Sequence, residues 1–197
     1  NDSPQSLHYV QNLEKFVYLT HSQTEQDTLS QYPIAAPHSL GIPMAADLQT
    51  WQRLQNGSDI RGVALEGVEG EAVNLTPDIA YKLGQAFVTW LAKALGKTAA
   101  DLVVSVGRDS RISGPALMGG LANGMMSIGT QVYDFGIAST PAMFMSTVTP
   151  GYDCHGAIML TASHLPFNRN GLKFFTAEGG LNKPDITQIL TLASEDS

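Results

Sequence analysis

The stretch with the clearest chemical potential is TASHLPFNRNGLK, residues 161–173, which follows an apolar run. Ser163 stands beside His164, and Arg169 and Lys173 come within the next ten residues. We expect a small hydroxyl residue at the carboxyl end of a strand to be exposed and fixed in place. A phosphoserine bears nearly two negative charges and is bound well by cationic donors. The stretch therefore suits a phosphoryl carrier, and an ordinary polar hairpin is the alternative interpretation.

A serine hydrolase is a second conceivable use of Ser163 and His164. Neighbouring side chains on an extended segment point to opposite faces, so His164 would be badly placed to deprotonate Ser163. The sequence also lacks a G-x-S-x-G nucleophile elbow. These two observations disfavour a hydrolase.

GRDSR, residues 107–111, is a second candidate site. It places Arg108, Asp109 and Arg111 in a predicted strand-to-helix loop. Loops at the carboxyl ends of parallel strands line the crevices where ligands bind. The alternative is a solvated loop whose charges pair with one another, and the spacing alone does not decide between the two.

Composition limits the classes of function. The chain has 197 residues, 43% of them hydrophobic, and a formal net charge of -7. This acidic balance disfavours non-specific binding of nucleic acid, and no apolar run reaches the roughly 18 residues of a membrane span. Cys154 is the only cysteine, which excludes an internal disulfide and favours a reducing compartment. Because the first residue is Asn1, we expect a processed or trimmed chain. We expect its location to be the cytoplasm or, after processing, an organelle stroma.

Helices and strands alternate along most of the chain and would position both candidate loops. Helices are predicted at 45–55, 77–95, 115–128, 140–148 and 184–194, and strands at 59–65, 101–107, 129–136, 156–163 and 171–179. The alternation predicts an α/β fold, a three-layer αβα sandwich with a mixed, mostly parallel sheet. The last two strands should form an antiparallel hairpin, because their connection is too short for a crossover. Residues 1–45, rich in Ser, Gln, Thr and Pro, are predicted to form a flexible N-terminal extension, and residues 46–197 one domain.

Three motifs in order, SDIRG at 58–62, GRDSRISG at 107–114 and TASH…NGLK at 161–173, together with the segments between them, resemble a known family. Residues 56–197 are similar to the first domain of the α-D-phosphohexomutases, a superfamily that includes phosphoglucomutase, phosphomannomutase and phosphoglucosamine mutase. The resemblance implies an enzyme of four domains around a deep cleft. Such an enzyme moves a phosphoryl group between C1 and C6 of a hexose phosphate through a bisphosphorylated sugar.

The resemblance also implies roles for individual residues. Ser163 would be the phosphoserine, and His164 and Lys173, both expected to face solvent, would assist the transition state and proton transfer. Magnesium would bind the phosphate of Ser163 and carboxylates of a later domain, and a hexose 1,6-bisphosphate would activate the enzyme. The positive groups assigned to binding the substrate or its phosphate are Arg61, Arg108 and Arg169.

The sequence departs from the family pattern in two kinds of place. Leu165 stands where the family usually has Asn, and Ser58 where it often has Tyr. The family's metal loop D-G-D-x-D, sugar loop G-E-x-S-G-H and phosphate loop R-x-S-x-T-E-P are absent from these 197 residues. We therefore expect the N-terminal, phosphoserine-bearing domain of a longer magnesium-dependent mutase, inactive by itself. A stand-alone, non-catalytic domain that binds phosphosugars or a protein partner is the alternative.

Overall fold

The computed structural model of the chain describes residues 18–19 and 48–195. The strands in these ranges are β1 Tyr18–Leu19, β2 Gln55–Asn56, β3 Asp59–Val63, β4 Val103–Arg108, β5 Gln131–Ile137, β6 Gly156–Leu160, β7 Arg169–Thr176 and β8 Gly179–Gly180. The helices are α1 Leu48–Gln52, α2 Pro77–Leu95, α3 Gly114–Ser127, α4 Thr140–Met145 and α5 Lys183–Glu195, with a short 3₁₀ turn at Ala99–Asp101.

The strands form one mixed sheet in the order β1-β5-β4-β6-β7-β3-β2, and β8 adds to β7. β4 is parallel to β5 and to β6. β7 is antiparallel to both β6 and β3, so β3, β4, β5 and β6 all run in one direction. The predicted α/β fold with a mixed, mostly parallel sheet is confirmed, as is the antiparallel hairpin of the last two long strands.

Alternating residues of β6 divide the core between the two faces of the sheet. Ile158 and Leu160 belong to the large core, beneath α1, α2, α3 and α5. Ala157 and Met159, which point the other way, join Met143 of α4 in a small second core. The sandwich therefore has three layers, and among the described residues the six-residue α4 is the helix of the second layer.

Local signals fix α2 and, through it, the position of α3. The Thr76 hydroxyl accepts a hydrogen bond from the Ile79 amide at 3.3 Å, and Gly96 ends α2 with a φ of 62°. Gly84 of α2 and Gly124 of α3 lie against the backbone carbonyls of the facing helix, where a Cβ atom would collide. This close approach seats α3, whose first turn follows the GRDSR loop.

Element boundaries differ from the prediction mainly beside the loops. The strand predicted at 156–163 ends at Leu160, and the strand predicted at 171–179 already begins at Arg169. The predicted helix at 45–55 is a five-residue α1, followed by the unpredicted β2. β8 is likewise absent from the prediction, because two residues carry no alternation.

The expected N-terminal extension lies outside the described residues except for one strand pair. Tyr18 and Leu19 pair antiparallel with Tyr133 and Val132 of β5, in a stretch whose sequence allows either a helix or a strand. The predicted flexibility of residues 1–45 stays a prediction. No helix within the described ranges is long and apolar enough to cross a membrane.

Candidate active site

The two candidate loops lie side by side at one end of the sheet. GRDSR follows β4 and the serine loop, residues 161–168, follows β6, and these strands are parallel neighbours. The Asp109 amide donates to the Leu160 carbonyl at 3.0 Å, which continues the strand pairing into the loops. The fold therefore brings the two motifs together at the carboxyl ends of adjacent strands.

Ser163 occupies a tight turn rather than extended chain. Its φ is 53°, in the left-handed region that few non-glycine residues adopt. The Leu165 amide closes the turn on the Ala162 carbonyl at 3.0 Å, and the Ser163 amide donates to the Thr161 hydroxyl at 2.9 Å. Both Ser163 and His164 are exposed, as predicted. The premise of an extended Ser163-His164 segment, used above against a hydrolase, is wrong.

Asp59 forms ion pairs with two of the predicted cationic residues. Lys173 Nζ lies 2.6 Å from one carboxylate oxygen of Asp59, and Arg61 Nη2 lies 3.1 Å from the other. The Asp59 side chain is only 12% exposed, whereas that of Lys173 is 33% exposed. Lys173 is therefore partly buried in an ion pair, and the expectation that it simply faces solvent is corrected. The pairing arises because β3 and β7 are antiparallel neighbours.

Glu71 secures the other end of the serine loop. Its carboxylate accepts one hydrogen bond from Asn168 Nδ2, at 2.7 Å, and pairs with the Arg169 guanidinium. The Asn168 amide, followed by Arg169, lowers the pKa of Glu71 below its usual value of 4.5. Asn168 is fully buried, and its backbone carbonyl accepts hydrogen bonds from the amides of Ala64 and Leu65. The loop is thus tied to the segment that follows β3.

A cavity of about 390 Å³ opens beside the serine loop. Two predicted phosphate-binding residues, Arg61 and Arg169, line it together with Arg53, which sequence reasoning missed. The remaining lining residues are Gln55, Asn56, Leu165 and Pro166. Arg108 is placed elsewhere: its guanidinium donates to the Asp109 carbonyl at 3.2 Å, and its side chain packs near Gly114. The structure therefore groups Arg61 with Arg169 and separates Arg108 from them.

The GRDSR loop fits one of the two interpretations that its spacing left open, and ligand binding by this loop stays a prediction. Its charges do pair, since Arg111 Nε lies 3.4 Å from Asp109 Oδ2. The same guanidinium also reaches the serine loop and donates to its backbone carbonyls. This contact joins residues more than 50 positions apart, and no local pattern in the chain indicates it.

Comparison with known proteins places this site in a family. Residues 52–196 match the family described as phosphoglucomutase/phosphomannomutase, alpha/beta/alpha domain I. The chain belongs to this family. The match covers β2 to β8, the helices α2 to α5 and both candidate loops, so the predicted resemblance to the first domain of the α-D-phosphohexomutases is confirmed.

Curated relatives and solved structures agree with this membership. The phosphoglucosamine mutase of Ruminiclostridium cellulolyticum is 42% identical over 137 residues, which cover 66% of this chain and 29% of that protein. The phosphoglucosamine mutase of Shouchella clausii is 42% identical over 115 residues, 58% of this chain and 24% of that protein. A phosphoglucomutase/phosphomannomutase family protein from Burkholderia thailandensis superposes with a TM-score of 0.58 at 28% identity, over 76% of this chain and 30% of that one. A putative phosphomannomutase from Thermus thermophilus gives 0.56 at 25% identity, over 71% of this chain and 30% of that one.

The phosphohexomutase domain therefore spans under a third of the length of these relatives. Its own described residues do not assemble a magnesium site. They contain no cluster of three or more His, Cys, Asp or Glu side chains that could hold a metal ion, and the carboxylate of Asp59 is already bound by Lys173 and Arg61.

The Glu71 contacts predict that the stability of this phosphohexomutase domain depends on pH in the acid range. A carboxylate whose pKa is lowered by folding contributes stability above its unfolded pKa, near 4.5, and loses it as the pH falls through the folded value. The melting temperature of Glu71→Gln should therefore fall less than that of wild type as the pH is lowered from about 5 to about 3. Melting temperatures of the 197-residue chain across this range measure the difference. Glu69→Gln, a change at a nearby exposed carboxylate, is the control and should follow wild type; equal acid dependence of all three would contradict the assignment.

Proposed function

We propose that this chain is the phosphoserine-bearing, N-terminal domain of a longer magnesium-dependent phosphohexose mutase. The observation that carries the proposal is the exposed Ser163, set in a left-handed turn at the carboxyl end of β6 and flanked by cationic side chains. Unusual backbone geometry of this kind concentrates at functional sites. Membership in the phosphoglucomutase/phosphomannomutase family supports the assignment.

The proposed reaction exchanges one phosphoryl group between Ser163 and the sugar. The bond between phosphorus and Ser163 Oγ breaks, a bond from phosphorus to a sugar hydroxyl oxygen forms, the hydroxyl proton passes to a base, and Ser163 Oγ takes up a proton to become a hydroxyl again. The product is a hexose 1,6-bisphosphate. The reverse transfer then takes the phosphoryl group at the other position back to Ser163, so the sugar phosphate leaves as its isomer. A hexose 1,6-bisphosphate would also activate unphosphorylated enzyme by this reverse transfer, which places a phosphoryl group on Ser163.

Positive charge would stabilise the transferring group, because its negative charge spreads over three oxygens in the transition state. His164 stands on the turn itself, and Lys173 is held in place by Asp59. Arg61 and Arg169 line the cavity beside the loop, where a phosphate could enter, and Arg53 adds a third guanidinium there. Arg108, whose guanidinium is directed toward its own loop, would act at most from outside this cavity.

The proposal also includes magnesium, a hexose phosphate substrate and further domains of the same protein. The metal would neutralise charge on the phosphate of Ser163, with its carboxylate ligands supplied outside this chain. Because the two curated relatives described above are phosphoglucosamine mutases, glucosamine phosphate is the first substrate to assay, beside glucose and mannose phosphates. A cytoplasmic or stromal location stays a prediction. The alternative, a stand-alone binding domain, is not favoured by these comparisons.

Substitution of His164 and Lys173 tests the proposal. In the complete protein, His164→Ala and Lys173→Ala should each lower kcat by about 10²-fold, because each removes a group that acts in the transition state. His164 is exposed, and Asp59 keeps Arg61 as a partner when Lys173 is removed, so both variants should stay folded. Steady-state turnover of each sugar phosphate, with magnesium and an activating bisphosphate, measures the effect.

Lys93→Ala is the matched control, since it removes an exposed positive charge in the last turn of α2. That turn leads to the start of β4, at the end of the parallel strands opposite the serine loop. The control should retain wild-type kcat. Wild-type kcat in both His164→Ala and Lys173→Ala would favour the ordinary polar hairpin instead.

A further inference from the structure

The guanidinium of Arg111 binds four backbone carbonyls around the serine turn, residues 162–165. Nη2 donates to the Ser163 carbonyl at 2.8 Å and to the Leu165 carbonyl at 2.7 Å. Nη1 donates to the Pro166 carbonyl at 2.7 Å and to the Arg169 carbonyl at 2.9 Å. The two Nη atoms carry four N–H groups, so each of these donors has its own acceptor. The guanidinium of Arg111 is thus hydrogen-bonded along the serine loop from the turn to the start of β7.

Arg111 is itself anchored to the end of the sheet. Its Nε lies 3.4 Å from Asp109 Oδ2, and Asp109 Oδ1 accepts the Arg111 amide at 3.0 Å. The Asp109 amide in turn bonds to Leu160, the last residue of β6. The Arg111 side chain is only 12% exposed. The guanidinium is therefore fixed by β4 and β6 and transmits their geometry to the loop.

The serine turn requires such support. Ser163 has a φ of 53°, a conformation that persists in non-glycine residues only where the surroundings over-determine it. Two local hydrogen bonds, from the Ser163 amide to Thr161 and from the Leu165 amide to Ala162, define the turn. Neither of them fixes the orientation of the turn relative to the sheet. The four bonds from Arg111 supply that orientation.

We propose that Arg111 is a positioning residue for phosphoryl transfer, which rests on the function proposed above. It contacts the backbone of the serine turn, not the reacting atoms, and it holds Ser163 Oγ where an in-line transfer can occur. Displacement of a reacting group by about 1 Å can cost about 10²-fold in rate. Loss of the four bonds should therefore slow transfer while leaving the binding of sugar phosphate largely intact.

Arg111→Lys is the decisive variant. Lysine keeps the positive charge but offers three donors on a single nitrogen, which cannot serve four carbonyls in the plane of a guanidinium. In the complete protein, kcat and the rate of Ser163 phosphorylation from a hexose bisphosphate should both fall by between about 10-fold and 10²-fold, with KM nearly unchanged. Lys93→Arg, at an exposed position far from the loop, should behave as wild type.

Two further measurements separate positioning from a general structural role. In Arg111→Ala, added guanidinium ion should restore part of the lost kcat, whereas neutral urea at the same concentration should not. Hydrogen exchange in the 197-residue chain should show faster exchange for the amides of residues 163–165 in Arg111→Lys, with unchanged protection in β4. If Arg111→Ala does not fold, Arg111→Lys and the exchange measurement decide alone.

The outcomes distinguish this inference from the proposed function. If the wild-type protein turns over sugar phosphate and Arg111→Lys has the same kcat, the positioning role is wrong and the mutase assignment stays intact. Equal loosening of the loop and of β4 would also overturn it, because Arg111 would then only stabilise the fold. If the complete wild-type protein has no mutase activity, the proposed function fails, and the exchange measurement still determines whether Arg111 orders the serine turn.

Discussion

Labelled phosphate from a hexose 1,6-bisphosphate is expected on Ser163 of the complete protein. The serine is exposed at the end of a buried strand, so it can reach a substrate while its backbone stays fixed. Ser163→Ala should take no label and should lower mutase turnover by more than about 10³-fold, since the nucleophile itself is lost. Phosphopeptide mapping and steady-state kinetics on the same preparations measure both effects.

Neighbouring hydroxyl residues provide controls for this experiment. Ser110 is exposed in the GRDSR loop, so Ser110→Ala tests whether an accessible serine near the site is enough. It should be labelled at Ser163 like wild type. Ser113 is buried and bonded to Asn170 Nδ2, and the Thr161 hydroxyl accepts the Ser163 amide. Label on Ser110, Ser113 or Thr161 in place of Ser163 would refute the loop assignment.

The elements that sequence reasoning located are those defined by local signals. Thr76 and Gly96 mark the ends of α2, and Ser139 caps α4 by accepting the Ala142 amide at 3.3 Å. β4 and β6 are central strands whose continuous apolar runs need no alternation to be recognised. The second helical layer was predicted from the sequence, but its size was not, since that depends on which face of the sheet each helix returns to.

The site was only partly predictable, because its contacts join distant parts of the chain. The chemistry-bearing residues of the serine loop are adjacent in sequence, which makes the motif visible. The ion pair of Lys173 with Asp59 spans 114 positions, and that of Arg169 with Glu71 spans 98. Such pairs follow from strand order, which alternation alone does not determine. Sequence reasoning also misses the left-handed turn at Ser163, because it treats the loop as extended.

The 197-residue chain by itself is expected to fold and to show no measurable mutase turnover. Its sequence holds the proposed nucleophile but lacks the metal, sugar and substrate-phosphate loops of the family. The described residues contain no cluster of acidic, histidine or cysteine side chains that would hold magnesium. Aligned reactants and preorganised charges supply most of the rate of phosphoryl transfer, and a serine hydroxyl alone is a weak nucleophile at neutral pH.

The assay for this last prediction compares the chain with the complete protein at equal concentration. Both receive magnesium, an activating hexose bisphosphate and, in turn, glucose, mannose and glucosamine phosphates. Thermal unfolding of the chain confirms that a negative result does not come from a misfolded sample. The cationic cavity formed by Arg53, Arg61 and Arg169 is open to solvent on this domain, so weak binding of a sugar phosphate without reaction agrees with the prediction. Turnover by the chain above the Ser163→Ala background would mean that it holds a complete active site, and the multidomain proposal would then be wrong.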